Sequence, residues 1–140
     1  MPTSIEDRLA IQDLFIRYAT ALDGGDVEGV VSCFTATASM ESPVVGVKTG
    51  TAEIRAFAER FSKFQASGSQ LRHILTNFAI AVDGDTAHAA CYLVNIVTRN
   101  GETRMGPPGR YDCTLVRTNG QWLFQRRLVV LDGVFDLSGI

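Results

Sequence analysis

The stretch 86–131, TAHAACYLVNIVTRNGETRMGPPGRYDCTLVRTNGQWLFQRRLVVL, decides the fold. Over 86–99, 109–118 and 121–131 apolar and β-branched residues alternate with polar ones, the period of half-buried strands. Asn100-Gly101 and Asn119-Gly120 accept positive φ and suit tight hairpin turns. Asp83-Gly84-Asp85 makes the same kind of break upstream, so a fourth long strand is expected over 71–82. These segments read as an antiparallel meander. The stiff Met105-Gly106-Pro107-Pro108-Gly109 run is expected to form a bulge or a loop at a cavity mouth.

Ahead of the strands the period changes. Thr3, three residues before Glu6, has the spacing of a capping box, and Ile5, Leu9, Leu14, Phe15, Tyr18 and Leu22 recur at helical intervals. This predicts a helix over about 4–22 that ends at Gly24-Gly25. Asp26 is expected to cap a short second helix carrying Val27, Val30, Val31 and Phe34. A strand over 37–47, interrupted by Pro43, follows. A third helix over 51–66 buries Ile54, Phe57, Phe61 and Phe64. Helices first and strands last imply an α+β domain over 1–140, a strongly curved sheet forming a cone with helices on its concave side, closed at one end by packing and open at the other.

The composition is compatible with that shape. At 140 residues, 46% hydrophobic and 20% charged, the chain can build a core and still leave a cavity. Thirteen basic and fifteen acidic residues are interspersed, for a formal charge of -2, which argues against nucleic acid and anionic membranes as partners. The first helix is amphipathic with several acidic positions, unlike a signal peptide or a spanning segment, so a cytoplasmic protein is expected. Cys33, Cys91 and Cys113 are widely spaced among apolar neighbours and read as reduced core thiols, with no metal-site spacing. The apolar end over 134–140 is expected to pack across the pocket mouth or against another subunit of a dimer or trimer.

Three residues carry the chemistry. Tyr18 and Asp23 stand five positions apart where the first helix gives out, and His73 follows on the strand side. An imidazole and a carboxylate from separate elements can meet as a base and its orienter, with a phenol as donor. Each also has a plainer reading: Asp23 as a solvated helix exit, His73 bonded to backbone, Tyr18 as a core tyrosine. In the strand over 86–99, alternation puts Asn95 on the face opposite His88, so an inward Asn95 leaves His88 outside. Arg126 and Arg127 must point to opposite faces, and the sequence leaves open which points inward. Asp112 is a candidate pocket carboxylate or a partner for Arg110 or Arg117.

The run Ile11-Gln12-Asp13-Leu14-Phe15-Ile16-Arg17-Tyr18 with Leu22-Asp23, the Cys33-Phe34 segment, Leu71-Arg72-His73 and Gly120-Gln121-Trp122-Leu123-Phe124 together resemble the SnoaL-like branch of the nuclear transport factor-like superfamily. The resemblance covers nearly the whole chain and implies an α+β cone with a deep pocket. It also implies chemistry of the kind found in scytalone dehydratase, hexachlorocyclohexane dehydrochlorinase and bile acid 7-alpha-dehydratase, in which a His and Asp pair abstracts a proton. Asp23 and His73 fall at the matching places, and Tyr18 matches a tyrosine of the bile acid dehydratase. Asn95 departs from that enzyme's second carboxylate, and Arg127 resembles an arginine of the dehydrochlorinase.

The function expected is therefore a cofactor-independent lyase or isomerase, dehydratase-like, acting on a small and largely apolar ring compound. His73, Asp23 and Tyr18 are its catalytic candidates, and Asn95 and Arg127 its substrate-binding ones. Two alternatives stand beside it. One is a non-catalytic ligand binder or a subunit like the beta subunit of ring-hydroxylating dioxygenases. The other is aspartate-based chemistry of the ketosteroid isomerase or polyketide cyclase kind, with Asp112 or Asp23 as base.

Overall fold

The computed structural model describes residues 2–134. Three helices, α1 (Ile5–Asp23), α2 (Val27–Val31) and α3 (Gly50–Ala66), pack on one sheet. Its strands are β1 (Phe34–Ser42), β2 (Gly46–Thr49), β3 (Ser69–Asp83), β4 (Thr86–Arg99), β5 (Glu102–Met105), β6 (Gly109–Thr118) and β7 (Gln121–Leu131). Their spatial order is β2-β1-β7-β6-β4-β3, with β5 paired to β4 beyond the end of β6. The α+β cone expected from the sequence is the fold observed.

The local differences have physical causes. The α1 cap is Ser4, whose hydroxyl accepts from Asp7 N, while Thr3 Oγ1 accepts from Val82 N and ties the helix start to β3. Phe34 belongs to no helix: α2 ends at Val31, and Phe34 opens β1 opposite Phe124 of β7. That β1·β7 pairing is parallel, the one departure from an antiparallel sheet among the described strands. Pro43 lies in the turn between β1 and β2, so the strand expected over 37–47 is a hairpin instead. β5 was not anticipated. Gly106 N donates to Asn95 O at 2.8 Å, so the Met105–Gly109 run is the step that lets β5 and β6 share one edge of β4.

Two bulges bend the sheet. In β3 the register shifts between Thr76 and Ala79, where Asn77 takes φ 56°. The inward set therefore changes from Leu71, His73 and Leu75 to Phe78, Ile80 and Val82. In β7 Phe124 pairs with Leu115 and Arg126 with Thr114, leaving Gln125 as the extra residue. Trp122 and Phe124 face inward before it, Arg127 and Val129 after it. The closed end is filled by Phe15, Tyr18, Phe34, Tyr111 and Phe124, whose rings meet mostly edge to face at 5.0–6.4 Å.

Gly109 opens β6 where that strand presses on β7. A Cβ there would lie 2.2 Å from the backbone oxygen of Val130. Gly109→Ala is therefore expected to cost about 1–3 kcal/mol, read as a fall in the urea midpoint. The apolar end lies outside the described residues except for Val134, which is 94% exposed. No helix among the described residues is long and apolar enough to cross a membrane.

Candidate active site

The site begins with the junction of α1 and β3. At the end of α1 the carbonyls have no partner within the helix. Gln65 of α3 and Gln70 of β3 supply them, with Gln65 Nε2 donating to Leu22 O and Gln70 Nε2 donating to Asp23 O, both at 2.8 Å. Gln65 Oε1 also accepts from Leu71 N at 2.8 Å. These two amides clamp the helix exit to the start of β3, two residues before His73.

Asp23 is consequently buried, 7% exposed, and caps no helix; that task for α2 falls to Asp26. Its carboxylate holds His73 twice. Oδ2 accepts from the main-chain N–H of His73 at 2.8 Å, and Oδ1 lies 2.5 Å from ring Nδ1. A carboxylate oxygen accepts, so in the neutral ring the proton belongs on Nδ1 and the lone pair on Nε2. The His73 side chain is only 6% exposed and lines a hollow with Leu22, Phe57, Phe61, Leu71, Leu93 and Val129. The hollow measures about 50 Å³, on a scale where one water takes roughly 10–15 Å³. Its mouth is rimmed by Ser42, Val44 and Val45 of the β1–β2 hairpin.

Tyr18, Asn95 and Arg127 line the same hollow. Asn95 pairs across the ladder with His73 and is buried. Arg127 is 3% exposed, and its guanidinium lies against two tyrosine rings, 4.3 Å from the Tyr18 ring centroid and 4.1 Å from that of Tyr111. Such stacking is worth about 0.5–2 kcal/mol per ring, against several kcal/mol for burying an unpaired charge. Among the described residues no carboxylate forms an ion pair with Arg127, because Asp23 is taken by His73. Tyr18 Oη, Asn95 Oδ1 and Arg127 Nε are buried with no protein partner among the described residues. In a folded interior such atoms ordinarily find partners, so their convergence on one hollow marks a place for a polar ligand.

Burial raises the Tyr18 phenol well above its ordinary value, with the Arg127 charge opposing this. Tyr18 is therefore a hydrogen-bond donor that keeps its proton. Burial likewise pushes the Cys91 thiol up to about 12 from an ordinary 9.0, and raises Cys33, Cys113 and Tyr111. Unfolded, these groups ionise at their ordinary values, whereas the fold holds their protons. Their contribution to stability is thus full below about pH 9 and is lost as pH climbs toward about 12. Urea midpoints at about pH 8 and about pH 10.5 should show the second clearly lower.

Asp112 is outside the hollow. It sits on the opposite sheet face with His88 Nε2 at 2.5 Å, both side chains well exposed, so an Asp112-based reaction in this pocket is ruled out. Arg126 is outside as well, 3.8 Å from Glu41, and Arg117 instead joins Asp7 and Asp85. The residues that sequence reasoning missed are Gln65, Gln70 and Tyr111. Glutamines next to a helix exit carry no motif, and Tyr111 was passed over although it shares inward parity with Cys113. Among the described residues no three His, Cys, Asp or Glu side chains gather as a metal would require.

The sequence profile of the SnoaL-like domain matches residues 3–128. The chain belongs to the SnoaL-like family. An uncharacterized Mycobacterium tuberculosis protein, Rv2910c, is 29% identical over 133 residues, spanning 89% of this chain and 84% of its own length. Among solved structures, a provisionally named aromatic ring hydroxylase from Novosphingobium aromaticivorans is 34% identical, with TM-score 0.81 and coverage of 96% of this chain and 94% of its own. An NTF2-like protein with a cystatin-like fold from the same organism is 28% identical, with TM-score 0.82 over 93% of this chain and 85% of its own. The SnoaL-like domain thus spans both the helical end bearing Asp23 and the strands bearing His73, Asn95 and Arg127.

Proposed function

We propose that this SnoaL-like protein is a cofactor-independent lyase of dehydratase type, with isomerase activity as its close relative, acting on a small and largely apolar ring compound. The observation that carries the reading is the Asp23–His73 pair, 2.5 Å apart and buried, with Nε2 left free on an apolar hollow. In this scheme Nε2 takes a proton from a carbon next to an activating group. Asp23 holds the ring orientation and offsets the charge of the imidazolium. Charge developing on the activating oxygen is met by Tyr18 Oη. The imidazolium then returns its proton to the departing hydroxyl as the C–O bond breaks, so that water leaves and His73 is regenerated.

The test is hydrogen exchange. Single-ring β-hydroxy ketones incubated in D₂O should take up deuterium at the activated carbon, lose water, or both, in the presence of the protein. Exchange that persists undiminished in His73→Ala would sink the reading. A second reading, a subunit of a ring-hydroxylating enzyme, is favoured by the name of the Novosphingobium relative. Copurification with a large partner bearing an iron–sulfur signature would support it, and a catalytically active chain purified alone would count against it.

A further inference from the structure

The guanidinium of Arg127 is placed where only a ligand can complete it. Its Cζ lies 4.3 Å from the Tyr18 ring centroid and 4.1 Å from that of Tyr111, and the two rings, 6.4 Å apart and inclined at 78°, flank it at a corner rather than sandwich it. Its Nε has no protein partner among the described residues. Arg127 lines the hollow together with Asn95, whose Oδ1 is also without a protein partner among the described residues. Most of the remaining lining, with Met40, Phe57, Phe61 and Val129, is apolar, and no lining residue is a carboxylate. Asp23, the buried carboxylate among the described residues, spends both oxygens on His73.

A buried guanidinium with an unpartnered Nε–H and no ion pair among the described residues matches a planar anion, since two parallel N–H bonds fit a carboxylate. Buried charges in proteins are ordinarily paired. We propose that the hollow selects a single-ring monoanion, a compound carrying a carboxylate on or next to its ring, and that the carboxylate pairs with Arg127 while the ring occupies the apolar wall. The proposal builds on the pocket named above as the substrate site, but it concerns recognition alone and involves no bond change. Arg127 is in this scheme a specificity-determining residue, which reads the charge of the ligand independently of the base at His73.

The experiment is a binding comparison by calorimetry and ligand-observed NMR in chloride-free buffer. The anionic probes are benzoate and cyclohexanecarboxylate, and the neutral ones their carboxamides, which keep shape and size and lose the charge. The full-length protein should bind the carboxylates at least about tenfold more tightly than the carboxamides. The preference should weaken as salt is raised less than a surface ion pair would, because the site is buried. Arg127→Gln should abolish the preference, Arg127→Lys should keep part of it, and His73→Ala should leave it in place. Equal affinity for acids and amides in the wild type, binding of neither class, or a preference that survives Arg127→Gln would each overturn the proposal. The wild-type comparison stands even if Arg127→Gln folds poorly. Catalysis and recognition fail separately: loss of solvent exchange with the charge preference intact removes the reaction reading only, while exchange without a charge preference removes this one.

Discussion

His73→Ala is expected to lower kcat/KM by about 10²- to 10⁴-fold, the usual contribution of a positioned general base. The chain offers no substitute. His88 is on the other sheet face with Asp112, and Asp23 without the ring is a carboxylate still tied to the main-chain N–H of residue 73. That main-chain bond does not depend on the side chain, so the α1–β3 junction keeps its Gln65 and Gln70 clamps and the fold should survive. The vacated space opens onto the hollow. Free imidazole added at millimolar concentration should therefore restore part of the lost rate in His73→Ala, which a purely structural role for His73 would not produce. Steady-state kinetics with and without imidazole, together with a circular dichroism melt, check both halves.

The second large effect is expected from Asp23→Asn, which keeps the shape and removes the charge. One acceptor oxygen must still serve the main-chain N–H of residue 73, which turns the new NH₂ group toward the ring. An NH₂ group donates, so Nδ1 must accept, and the ring proton moves to Nε2, the atom that is to act as base. A wrong tautomer of this kind costs roughly 10⁴-fold in the serine protease triad, and a loss of that order is expected here. Stability should fall by about 1–3 kcal/mol, because a charge-assisted bond is lost inside the protein. A strongly downfield Nδ1 proton resonance in the wild type should be absent from the variant. An unchanged ring-proton spectrum, or full activity in Asp23→Asn, would show that the carboxylate does not set the tautomer.

These expectations rest on a site that was partly legible before any coordinates. The apolar interval from Ile11 to Leu22, the Asn-Gly turns and the alternation of Ala89, Cys91, Leu93 and Asn95 are local signals, because each follows from helix or strand geometry within a few residues. They placed Tyr18 on the buried face of α1 and separated Asn95 from His88. The cap was misread because Thr3 and Ser4 both have a hydroxyl, and the choice between them was made by Val82, 79 residues away. β5 escaped because Glu102–Met105 is four residues of exposed, polar-rich chain whose strand character comes from pairing with the end of β4. Gln65 and Gln70 escaped because an amide at a helix end or strand start is ordinary, and only the partner carbonyls of Leu22 and Asp23 give these two their task.

By itself the sequence determined the class of the long elements, the order of helices before the strand meander, and the kinds of acid, base and cation available, since all of these follow from side-chain chemistry and short-range periodicity. Only the tertiary structure decided which of two adjacent arginines enters the hollow. Strict alternation from Trp122 and Phe124 would have turned Arg126 inward and Arg127 to solvent. The extra residue at Gln125 reverses that parity, and it is accommodated because β7 must match β1 on one side and β6 on the other, with Gln125 Oε1 accepting from Thr35. A bulge is a compromise between two neighbouring strands. No segment of chain read alone contains the terms of that compromise, and so the one buried cation of the site was settled by pairing across the sheet.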